Sequence, residues 1–94
     1  MISTQIETIE KEQIKFLKFP KEDVLSTKTE QNKRFITLKR AMALGNLERG
    51  KVGILFMDND GFKKVETTVW GVTDKSVILK KSTIIPLKRI LWVS

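Results

Sequence analysis

The chain has 94 residues, no cysteine, no histidine and a formal net charge of +7. A chain of this length makes one domain and buries only about 60% of the surface its unfolded form exposes, which excludes a large internal active-site cavity. Without imidazole or thiol there is no disulfide framework, no ordinary zinc site and no common nucleophile–base pair, so neither an enzyme nor a bound cofactor is expected.

The charge is unevenly placed. Residues 1–33 carry six lysines against six acids, whereas residues 34–94 carry twelve Lys or Arg against five acids, so the whole excess sits in the second part. Such an excess favours a polyanionic partner through long-range attraction, and a plain solvated surface is the competing reading. The first residues, Met1 to Glu7, have neither a basic flank nor an apolar run, which argues against a secretory signal. No stretch approaches the roughly 18 apolar residues of a membrane span, so no membrane partner and a cytoplasmic location are expected.

In chain order, Ile6, Ile9, Ile14 and Leu17 stand at roughly helical spacing, and Thr4 with Glu7 has the form of a capping box. Phe16 to Phe19 equally suits a strand, and Pro20 ends either element. Ser26 to Asn32 has no apolar residue and reads as a linker, so residues 1–31 are expected as an arm, partly ordered or flexible. Residues 32–94 are expected as the folded domain. Asn32 caps a helix through Leu44 that Gly45 closes, with Phe35, Leu38 and Met42 on one face and Lys33, Lys39 and Arg40 away from it. That apolar seam plugs an open end or side of the domain or, alternatively, pairs with a second copy. Ile36 and Leu44 lie off the seam and leave apolar surface for a partner.

Strand signals follow. Val52 to Met57 is apolar on both sides, Asp58-Asn59-Asp60-Gly61 has hairpin chemistry, and Phe62 to Thr73 is a long β-branched run with Gly71 as a bend. Val77 to Lys80 and Thr83 to Pro86 make two more strands. Leu87 to Ile90 fits one tight turn, and Leu91-Trp92-Val93 closes the chain. The fold class expected is mainly β (α+β): a small, strongly bent antiparallel barrel of about five strands with one N-terminal amphipathic helix, since closure hides sheet edges.

A helix followed by five short bent strands, with a tight turn before the last, resembles the Sm-like and SH3-like small barrels; Thr83 to Val93 carries most of the likeness. The element order is also similar to that of the bacterial Rho-inhibitor barrel. Lys51 to Phe56, Val65 to Trp70 and Ile85 to Ile90 resemble a group of short uncharacterised Bacteroidetes proteins. The likeness covers about residues 33–93 and implies a fold alone, because the 58–61 and 86–90 turns match neither base-reading loop of true Sm proteins.

Chemistry-bearing motifs are few. Asp58 and Asp60 sit at calcium-loop positions relative to Gly61, but Phe56 and Thr67 stand where the outer acids belong, so a hairpin turn is the better reading. Gly50-Lys51 lacks the following hydroxyl and helix of a phosphate loop. The acids fall mostly in turns, with no spacing that asks for a paired-carboxylate hydrolase. Basic residues remain as the candidates: Lys39 and Arg40 on the helix, Lys63 and Lys64 after the hairpin, and Lys80, Lys81, Lys88 and Arg89 at two strand–turn corners that a small barrel places on one rim. Trp70 and Trp92 are either core or stacking surfaces. The reading is a binding module for RNA or DNA backbone, the alternative a protein-interaction adaptor that docks on another protein or on its own copy.

Overall fold

The structure is a computed structural model that describes the backbone of residues 6–48 and 50–94 and the side chains of residues 6–44 and 50–94. The described residues form a small α+β domain with one helix, α1 (Lys28–Glu48), and seven strands: β1 (Glu7–Thr8), β2 (Val52–Met57), β3 (Phe62–Thr67), β4 (Val69–Val72), β5 (Ser76–Leu79), β6 (Ile84–Pro86) and β7 (Ile90–Val93). Three short 3-10 turns lie at Lys11–Phe16, Lys80–Ser82 and Leu87–Arg89. The strands form two sheets, in the orders β1-β3-β2-β7 and β4-β5-β6. No ladder joins them among the described residues: the strands number seven against the expected five or so, and hydrogen bonding does not close the two sheets into one.

Local chemistry explains each passage. In β2, Val52, Ile54 and Phe56 are buried while Gly53, Leu55 and Met57 are half-buried, the alternation of a sheet with one core face. Asp58 then turns the chain: its Oδ1 accepts the N–H groups of Asp60 (2.8 Å) and Gly61 (2.9 Å), and Gly61 takes φ +145°, a region glycine tolerates. The long run that reads as one strand breaks at Thr68. Thr67, Thr68 and Val69 are all buried at this corner, where the chain leaves the first sheet and enters the second. Pro86 and the single turn Leu87–Arg89 bring it back beside β2. Buried Ile54, Phe56, Val65, Val69, Val77, Leu79, Ile85 and Ile90 supply strand contributions to one core.

Helix α1 packs on β4 and β7. It begins at Lys28, so the linker expected over Ser26 to Asn32 is corrected: Thr27 Oγ1 accepts the Glu30 N–H and donates to the Glu30 carboxylate, and Gln31 Nε2 donates to the Leu25 carbonyl. The inward face is Arg34, Leu38 and Ala41, with Met42 packed beside them. Phe35, expected in the seam, sits about 100° round from Arg34 and stays exposed, with Lys39 Nζ 5.8 Å from its ring centre.

The described part of the N-terminal region, residues 6–27, is built into the domain. Ile9 and Ile14 join the core, and β1 pairs in parallel with β3. Asn59 donates its N–H to the Lys18 carbonyl and Val24 to that of Lys88. Two buried arginines tie the same segment down. Arg34 Nη1 and Nη2 each meet the Asp23 carboxylate at 2.8 Å, and Nη1 also reaches the Ile90 carbonyl at 3.1 Å. Arg89 donates from Nε to the Met57 carbonyl (3.0 Å) and from Nη1 to that of Glu22 (2.8 Å). The expected Thr4 side of the capping box lies outside the described residues, and Glu7 lies in β1. No helix of the described residues is long and apolar enough to cross a membrane.

Candidate nucleic-acid interface

Strand β6 is three residues long and forms an edge of the second sheet. A groove opens at each end of it. At its start Ile84 lines a groove of about 500 Å3 with Lys11, Glu12, Lys15, Lys81, Ser82 and Thr83, between the first 3-10 turn and the β5–β6 loop. At its end Pro86 lines a groove of about 390 Å3 with Phe19, Pro20, Lys21, Asp74, Lys75 and Lys88. Ile84 and Pro86 are two residues apart, about 7 Å along an extended strand, so the two grooves form one basic track.

The track carries six lysines against Glu12 and Asp74. Lys11 is engaged with Glu12 at 3.0 Å, while Lys15, Lys21, Lys75, Lys81 and Lys88 make no ion pair among the described residues. The hydrogen bond from Lys11 holds the Glu12 carboxyl below its ordinary value, and the positive charge of Lys81 adds to the effect. Lysines of two separate elements therefore act on one carboxylate.

The loop between β5 and β6 is strained where it meets the first groove. Lys81 (φ 64°, ψ 28°) and Ser82 (φ 63°) both adopt the left-handed region without being glycine. Each such residue costs about 1–2 kcal/mol. Hydrogen bonds from Leu79 N–H to the Thr83 carbonyl (2.7 Å) and from Lys80 N–H to the Thr68 carbonyl (3.0 Å) hold the loop in place.

The eight basic residues singled out in the sequence are distributed among several roles. Lys81 and Lys88 lie in the two grooves, and Lys80 is exposed in the same loop as Lys81. Lys39 and Arg40 are exposed on α1, which packs against β4, the edge of the second sheet opposite β6. Lys63 is committed to Asp58 (3.3 Å) and Glu7 (3.7 Å). Burial alone pushes the Asp58 carboxyl up, but the Asp60 and Gly61 N–H groups and the Lys63 ammonium together bring it below the ordinary range. Lys64 lies 4.0 Å from Glu66, and its stem crosses Gly53, where a Cβ would meet Lys64 Cε at 2.8 Å. Arg89 is buried and spends its donors on backbone carbonyls.

Sequence reasoning missed Lys11, Lys15, Lys21 and Lys75. Charge balance over residues 1–33 hid the first three, although the spacing of Lys11 and Lys15, four apart, was a signal in itself. Trp70 and Trp92 are 48% and 65% exposed, so the core alternative for them is set aside. Trp92 pairs across from Leu55 on the outer face of the first sheet, where it shares an apolar hollow with Ile6, Leu55 and Lys64. Comparison of the chain with protein-family models, with curated proteins and with solved structures finds no match.

Proposed function

We propose that this chain is a non-catalytic module that binds the phosphate backbone of single-stranded RNA or DNA along β6, without strong sequence reading. The observation that carries the reading is the pair of lysine-lined grooves joined by that three-residue strand. Unpaired ammonium groups on a short track neutralise successive phosphates and release their condensed counterions, which is the main source of affinity for such modules. Phe19, Pro20 and Pro86 offer an apolar floor to a sugar or base at the second groove. We read the two sheets as the halves of a small barrel of the Sm-like or SH3-like kind. The passages at Thr68 and at Leu87–Arg89, each carrying the chain between sheets within a few residues, support that reading.

Charge reversal tests the interface. Lys15→Glu with Lys81→Glu, and separately Lys21→Glu with Lys88→Glu, are expected to lower affinity for a labelled single-stranded oligonucleotide by roughly tenfold or more each. Lys39→Glu with Arg40→Glu makes the same change in net charge away from β6 and is expected to cost a few-fold at most. Equal losses from all three pairs would place the attraction in net charge and not in β6. A second reading, docking on another protein, is favoured by the Trp92 face, where Trp92, Leu55 and Ile6 line one hollow and a contiguous apolar patch marks a contact surface. Binding through that face would survive high salt and fail on Trp92→Ala.

A further inference from the structure

The two grooves carry the same charges, three lysines and one acid each, and the uncharged residues that complete their linings set their ends apart. The second has an apolar floor of Phe19, Pro20 and Pro86, whereas the first brings Lys11, Lys15 and Lys81 together with the hydroxyl-bearing residues Ser82 and Thr83. From the first groove we infer a site for a phosphate monoester, the terminal phosphate of a strand that lies on β6. A phosphodiester inside a strand carries one charge and must be passed along, but a monoester carries about −1.5 to −2 and three strong acceptor oxygens. The unpaired ammonium groups of Lys15 and Lys81, with Lys11 beside Glu12, and two hydroxyls match that demand in kind. Glu12, also in the lining, is held by Lys11 at 3.0 Å and leaves the groove net positive.

The backbone supports the same assignment independently. A loop joining β5 to β6 is filled without strain by glycine or asparagine. Here Lys81 and Ser82 occupy left-handed conformations, and both line the groove. The hairpin turn itself requires this backbone, and strain kept by residues with an ammonium and a hydroxyl where glycine or asparagine would fit points to a binding role for those side chains. The loop is fixed by the Leu79–Thr83 hydrogen bond within it and by the bond from Lys80 N–H to the Thr68 carbonyl outside it, so the groove needs no large rearrangement to receive an anion.

The inference rests on the nucleic-acid reading for its strand, and one competition experiment separates the two. A labelled oligonucleotide is displaced by three unlabelled probes: an end-phosphorylated strand, the same strand ended in hydroxyl, and a free nucleoside monophosphate. The end phosphate is expected to strengthen binding by roughly tenfold. Lys15→Gln with Lys81→Gln abolishes that advantage while the hydroxyl-ended strand loses only a few-fold. Lys81→Gly removes the advantage as well but leaves thermal stability undiminished, since glycine relieves the left-handed strain; a purely structural loop would not behave so. Displacement by the free monophosphate at concentrations similar to the end-phosphorylated strand identifies a free nucleotide as the monoester's source. Equal affinity for both strands, with no effect of the monophosphate, overturns the inference and leaves the track intact. Failure of even the hydroxyl-ended strand to bind at low salt defeats the interface itself.

Discussion

The Asp23–Arg34 pair makes a sharp prediction about how residues 19–25 are held. The Arg34 guanidinium is only 4% exposed and meets the Asp23 carboxylate, 18% exposed, through two bonds of 2.8 Å. Its Nε already lacks a partner, so Asp23→Ala leaves a buried cation with the Ile90 carbonyl alone. Breaking a buried pair from one side costs about 3–5 kcal/mol. Residual solvent at Asp23 lowers the expectation here to about 2–4 kcal/mol. For a domain of this size that is a fall of roughly 10–25 °C in melting temperature, read by circular dichroism. Replacing both partners by apolar residues, Asp23→Leu with Arg34→Met, is expected to recover much of the loss. The Arg34 hydrogen bond holds the Asp23 carboxyl below its ordinary value, so the stabilisation is fully present above the unfolded-state value, near pH 4. It is lost as pH falls through the lower folded-state value. Asp23→Asn removes that part of the acid sensitivity. A loss below about 0.5 kcal/mol for Asp23→Ala would refute the reasoning.

Arg89→Ala leaves two carbonyls, those of Met57 and Glu22, without their side-chain donor and is expected to destabilise by about 2–4 kcal/mol in urea unfolding while oligonucleotide affinity of the folded protein changes little. Gly61→Ala meets no atom within 4 Å, so only the strain of φ +145° remains, about 1–2 kcal/mol by the same measurement. Trp70 and Trp92 emit as solvent-exposed indoles, and iodide quenches both; a blue-shifted, protected emission would contradict their placement.

Much of the fold was legible because local signals agreed with one another. The apolar run of β2 and the Asp58–Gly61 turn carried pattern and turn chemistry together, and the two strands around Lys80–Ser82 carried a clear apolar pattern. What remained hidden depended on contacts distant in sequence. Residues 28–32 hold no apolar side chain, and they become helical through Thr27, Leu25 and the Asp23–Arg34 pair. Hydrophobic spacing alone places Phe35 inward, whereas the packed face centres on Leu38 and Ala41. For the interface, charge alone did not distinguish Arg89, which is structural, from Lys88 one residue earlier, which stays in water. Nor did it show that Lys11, Lys15 and Lys21 approach Lys81 and Lys88, since that proximity exists only once the N-terminal segment lies against β6.

The most direct test of the central claim is the salt dependence of single-strand binding. With all six lysines of the two grooves engaged, the logarithm of affinity should fall against the logarithm of salt with a slope of about −4, roughly 300-fold between 50 and 200 mM. Anisotropy of a labelled oligonucleotide reads it directly. A slope near that value, reduced by about half when either groove is neutralised, is the predicted result; affinity indifferent to salt, or no binding at 50 mM, would contradict the account.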